Sequence, residues 1–114
     1  MTTAADAKFK KSREKIAEIQ RTISSMEYLS SGTLLKRMKV CGNPRCHCAS
    51  DPAARHGPYF EWSYLKAGKL HHRTLTPEQA EIMQFAIANQ RKAKKLMRLW
   101  EAQTLILIEL TTPK

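Results

Sequence analysis

Cys41, Cys46 and Cys48 place three thiols within one short run, Cys-Gly-Asn-Pro-Arg-Cys-His-Cys, and His56 follows shortly after. Tetrahedral zinc takes sulfur and nitrogen ligands, and three Cys with one His is among its usual structural sets. Gly42 and Pro44 suit a loop that must turn tightly enough to bring thiolates to about 2.3 Å from one ion. The C-x4-C-x-C spacing differs from a pair of C-x2-C knuckles, so it points to metal without naming a finger class. His47 lies between two candidate ligands, where chelation by three consecutive side chains would strain the loop. Three histidines remain for the fourth position: His56, His71 and His72. His56 is favoured because Gly57 lets the backbone turn sharply beside it, while His72 has a route to the site across a hairpin. The bland alternative is three small buried thiols, and an iron–sulfur cluster is the minor one.

A closed four-ligand site leaves no position for an activated water. The carboxylates are scattered over helix surfaces, and no glycine-rich phosphate loop, Ser-His-Asp pattern or His-x-Glu beside the cysteines is present. The expectation is a protein that is not an enzyme, with zinc as a structural cofactor.

Twenty Lys and Arg against ten Asp and Glu leave a net charge of +10 on 114 residues. That density favours anionic partners, nucleic acid and DNA in particular, although it also serves solubility. Lys36, Arg37, Lys39, Arg45, Arg55, Lys66, Lys69 and Arg73 flank the metal-ligand candidates, and Arg91, Lys94, Lys95 and Arg98 form a denser stripe at helical spacing. No export segment opens the sequence, because Met1 to Arg13 is polar and basic, and an odd number of thiols disfavours a disulfide framework. The apolar run Leu105 to Ile108 is far short of the roughly 20 residues a bilayer demands. The expected location is cytoplasmic, with no membrane partner.

The elements that must position these residues are legible from periodicity. From Ala4 to Leu29, Phe9, Ile16, Ile19, Ile23 and Met26 lie on one helical stripe, and Ser30-Ser31-Gly32 ends the element. Thr33 to Val40 reads as a short helical turn followed by an extended run, or as one strand. Pro58 to Leu65 alternates, with Phe60, Trp62 and Tyr64 on one face and Glu61 and Ser63 on the other. Ala67-Gly68 then makes a tight connection to a return strand, Lys69 to Leu75. Thr76-Pro77-Glu78-Gln79 is a helix start, with Thr76 as N-cap and Gln79 placed to bond back. Ile82, Ala86, Asn89, Ala93, Leu96, Trp100, Leu107 and Leu110 continue that helix at four-three spacing, interrupted at Gln103. The expected fold is α+β and mainly helical: a helical arm over 1–31, a zinc-binding β-hairpin module over 32–76 and a second arm over 77–114, within one domain. The two arms are expected to pair as an antiparallel coiled coil around the zinc-stabilised tip. Leu105 to Ile108 is apolar all round the helix, so a second copy or another protein is expected to cover part of it.

Gly32-Thr-Leu, Arg37, Cys41-Gly-Asn-Pro-Arg-Cys46-His-Cys48, His56-Gly-Pro-Tyr-Phe, Ser63-Tyr64, Gly68-Lys69 and Leu75-Thr-Pro-Glu78 resemble a bacterial family of short uncharacterised proteins. Members of that family are typically encoded beside transposases and other mobile elements. The resemblance implies that Cys41, Cys46, Cys48 and His56 form one set, and it implies no reaction. Met38 stands where the family pattern usually has an aromatic residue.

Two functions follow as expectations. One is an accessory nucleic-acid-binding protein of a mobile-element or phage-like system, gripping phosphates around a structural zinc tip. The other is a zinc-stabilised assembly module whose arms bind a transposase or another protein, or dimerise, with the charge serving solubility. A single contiguous basic face after folding favours the first, and a scattered one the second.

Overall fold

The computed structural model describes residues 3–39, 43, 45–47, 50, 51 and 56–111, with Lys39 and His56 described for their backbone alone. Cys41, Cys48 and Arg55 lie outside the described residues. The element order is α1 (Ala4–Ser24), β1 (Thr33–Lys39), β2 (His56–Lys66), β3 (Lys69–Leu75) and α2 (Pro77–Leu110). The fold is therefore α+β and mainly helical, as the periodicities require. No described helix is long and apolar enough to cross a membrane. The chain divides into two compact units: Met1–Glu27 with Asn89–Lys114, and Tyr28–Ala88.

In the helical unit, α1 begins at a capping box. The Asp6 backbone N–H donates to Thr3 Oγ1 at 3.0 Å and the Thr3 N–H donates back to Asp6 Oδ2 at 3.1 Å. The Thr3 backbone N–H, and after it the Thr3 side chain, favour the charged carboxylate and hold the Asp6 pKa below its ordinary value. The helix was expected to run to Leu29 but ends at Ser24. Serine and threonine side chains near its end turn back onto the helix: Thr22 Oγ1 donates to the Glu18 carbonyl, Ser24 Oγ to Arg21 and Ser25 Oγ to Thr22. Side-chain bonds of this kind compete with helix continuation. Ile19 and Ala93 are buried in this unit. Ser12 is also buried, and its hydroxyl donates to Gln103 Oε1. Ser12 falls in the gap between Phe9 and Ile16, so the polar interruptions of the two apolar stripes meet each other.

In the second unit the expected two-stranded hairpin is part of a three-stranded antiparallel sheet in the order β1-β2-β3. A lone hairpin is marginal in water, and β1 supplies the missing ladder along the other edge of β2. The register fixes the faces, because residues directly opposite share one. Leu34 and Lys36 lie with Phe60, Trp62, Tyr64 and Lys66, and with Lys69, His71, Arg73 and Leu75, on the aromatic face. Thr33, Leu35, Arg37, Tyr59, Glu61, Ser63, Leu65, Leu70, His72 and Thr74 lie on the opposite face. The core of this unit is Leu75 with Ala80, Ala86 and Ile87 from the first turns of α2. That helix starts at the expected capping box: the Thr76 N–H donates to Gln79 Oε1 at 2.9 Å and the Gln79 N–H to Thr76 Oγ1 at 3.1 Å. The segment before β1 is tied in at two points, with the Ser30 N–H donating to the Ala86 carbonyl and Trp62 Nε1 donating to the Ser31 carbonyl at 2.9 Å.

Candidate metal and nucleic-acid site

The end of the sheet nearest the cysteines is formed by Lys39 opposite His56, with a register irregularity between Arg37 and Lys39. Gly57 carries φ +133°, and a Cβ there would meet the Arg37 carbonyl at 2.9 Å, so only glycine fits comfortably between His56 and β1. In the intervening loop, the Cys46 N–H donates to the Asn43 carbonyl at 3.0 Å and the Arg45 N–H to Asn43 Oδ1 at 3.0 Å. Asn43 thus closes the turn that presents Cys46, in the manner of an Asx turn. Cys46 is half-buried, and Arg45 and His47 are exposed.

The other two histidines are distant from this end. His72 lies opposite Ser63 and His71 opposite Tyr64. Ser63 is seven residues along β2 from His56, or roughly 23 Å at the rise of a strand. Cys41 follows Lys39 by two residues, a reach of about 7 Å of extended chain. Among the described residues no three His, Cys, Asp or Glu side chains converge on a metal-sized site.

On the aromatic face, Trp62 stacks on Tyr64 with centroids 4.0 Å apart and planes at 21°, and Tyr64 stacks on His71 at 5.4 Å and 18°. Lys36, Lys66, Lys69 and Arg73 stand exposed on the same face, and no described strand residue there is acidic. The opposite face carries Arg37, whose guanidinium lies 4.0 Å from Glu61. The cations that flank the metal candidates in sequence are therefore divided by the pleat.

A family model described as a domain of unknown function, DUF6788, matches residues 9–84, most of the chain. The chain belongs to the DUF6788 family. No curated protein and no solved structure matches it.

The DUF6788 span takes in most of α1, the whole sheet and the first turns of α2. Arg91, Lys94, Lys95 and Arg98 lie beyond it, exposed on the part of α2 that belongs to the helical unit. Sequence reasoning missed a polar cluster on the sheet of this DUF6788 chain: Ser63 Oγ lies 2.8 Å from His72 Nδ1, and Glu61 Oε1 lies 3.4 Å from the same nitrogen. A two-residue turn at Ala67-Gly68 sets Ser63 opposite His72, so the pair was open to discovery from the turn alone. The cluster does not resemble a nucleophile relay, in which serine and carboxylate occupy different ring nitrogens. Both contacts fall on Nδ1, and Glu61 lies between His72 and Arg37, joining the three strands.

Proposed function

We propose that this protein is an accessory nucleic-acid-binding protein, with DNA as its ligand and a structural zinc ion held by Cys41, Cys46, Cys48 and His56. The observation that carries the reading is the segregation of charge on the sheet. Lys36, Lys66, Lys69 and Arg73 share one face without a carboxylate among its described strand residues, while Arg37 is opposed by Glu61 on the other. Phosphate binding needs such a one-signed surface, whereas charge kept for solubility has no reason to separate by face. The zinc set is supported by register, since His56 sits at the cysteine end of the sheet and His71 and His72 lie at least seven rungs away. A closed set of four protein ligands makes the ion structural and leaves it no position for an activated water, which supports a binding role over zinc catalysis. The mobile-element setting rests on the family resemblance alone.

In the helical unit we read α1 and the second half of α2 as an antiparallel coiled-coil pair. Ser12 reaches Gln103, while a cleft further along α1 is lined by Ile19 and Thr22 with Leu96 and Leu99, so advancing along one helix retreats along the other. A second reading, the assembly module, is favoured by one feature: a groove of about 620 Å³ in which Ile23 faces Met97, Trp100, Leu105 and Ile108. A transposase or a second copy of the chain would be its occupant.

The test is binding of a labelled DNA by the native chain and by two variants at low salt, with metal content measured in parallel. Joint reversal of Lys66, Lys69 and Arg73 to Glu should weaken binding at least tenfold, while Arg37→Glu should change it much less. Equal effects of the two variants, or no binding by the native chain, would transfer the function to the assembly module. Absence of stoichiometric zinc in protein purified without chelator would remove the metal.

A further inference from the structure

We infer that the aromatic face of the sheet binds single-stranded DNA in preference to duplex, by extending the Trp62–Tyr64–His71 stack with an unpaired base. The inference rests on the nucleic-acid reading above and adds strandedness to it. Three rings in near-parallel succession, at 4.0 and 5.4 Å between centroids, run from β2 onto β3. Their inner end is anchored, because Trp62 Nε1 donates to the Ser31 carbonyl at 2.9 Å. Trp62, Tyr64 and His71 are all half-buried rather than sequestered, in contrast to Leu75 on the same face. Each of the three therefore keeps part of its surface open to solvent.

The cations are disposed about the stack. Arg73 pairs across the ladder with Trp62 at the inner end, and Lys66 pairs with Lys69 one row beyond Tyr64 and His71. Two lysines directly opposite on one face repel each other, a cost of the kind that like-charged cross-strand pairs carry. An anion between them relieves it. A phosphate at Lys66 and Lys69 leaves the attached base next to His71, the outermost ring. Bases inside a duplex are stacked on their own neighbours and cannot offer a face to a protein ring, so this geometry selects an unpaired strand. Selection is indifferent to sequence, because every base has a π-face.

The experiment uses the full chain carrying Trp100→Phe, which leaves Trp62 as the sole indole, titrated with oligothymidine and with a duplex of equal length. Binding of the single strand should quench Trp62 emission and be tighter than duplex binding. Loss of one base stack corresponds to roughly a 5- to 150-fold fall in affinity, so His71→Ala should lower single-strand affinity within that range and leave duplex affinity nearly unchanged. His71→Phe, which keeps a ring and removes any imidazole charge, should retain most of it. If duplex and single strand bind equally and His71→Ala changes neither, the inference fails while the phosphate-binding reading stands. If neither nucleic acid binds at low salt, both fail together.

Discussion

Ala67 sits at φ 53° and Gly68 at φ 77°, so both central residues of the β2–β3 connection occupy left-handed conformations. Two such residues in a two-residue loop match the turn that suits the twist of a hairpin, for which Asn-Gly is the preferred pair. An alanine in that region is opposed by its own Cβ at a cost of about 1 kcal/mol. Ala67→Asn should therefore stabilise the protein by about 1 kcal/mol, read as a raised urea midpoint at unchanged slope; a lowered midpoint would mean that the turn tolerates alanine for another reason. The same residues explain what was legible at this scale. Ala67-Gly68 and the alternation from Phe60 to Tyr64 announced a hairpin because period and turn chemistry are local properties. The contacts of Glu61 with Arg37 and His72 were not announced, since they join residues on three different strands. Cys41 and Cys48 lie outside the described residues, so the metal set remains a matter of ligand chemistry and of the position of His56.

At the scale of elements, the helix starts were legible and one helix end was not. The capping box expected at Thr76 is a short-range signal and forms its reciprocal bonds, while the start of α1 followed from apolar periodicity, and the capping box at Thr3 that secures it emerges only in the structure. The end of α1 depended on competition between serine hydroxyls and the next helical turn, which apolar spacing through Met26 conceals. β1 was ambiguous for a different reason: Thr33 to Lys39 has no clear period of its own, and pairing with β2 decides its conformation. Gln103 read as an interruption of the α2 stripe, yet it is one half of a matched polar pair with Ser12. A polar pair inside an apolar seam costs stability relative to packed aliphatics and sets register. Ser12→Ala alone should destabilise the protein by about 1 kcal/mol, because the Gln103 carbonyl oxygen loses its donor. Ser12→Ala with Gln103→Leu should recover most of that loss, giving a coupling free energy of similar size in a double-mutant cycle. Additive losses would show that the two side chains do not depend on each other.

For the whole molecule, the informative quantity is how many of its cations a nucleic acid engages. The net charge of +10 sets no such number, because each cation counts only if a phosphate reaches it. On the sheet, Lys36, Lys66, Lys69 and Arg73 share one face, Arg37 is opposed by Glu61, and the Arg91 to Arg98 stripe lies beyond the family span. The slope of log affinity against log salt for a single strand is about −0.7 per phosphate neutralised. Four contacts give a slope near −2.8, or roughly a 50-fold loss between 50 and 200 mM salt. Engagement of all twelve basic residues flagged by sequence would give a slope near −8.4 and a loss of about 10⁵ over the same range. The sheet-face reading predicts the shallow value, and it predicts that reversing Lys66, Lys69 and Arg73 removes most of the slope while reversing Arg91, Lys94, Lys95 and Arg98 leaves it nearly intact. A steep slope that responds to both sets equally would mean that the whole basic surface binds, and the sheet face would lose its special role.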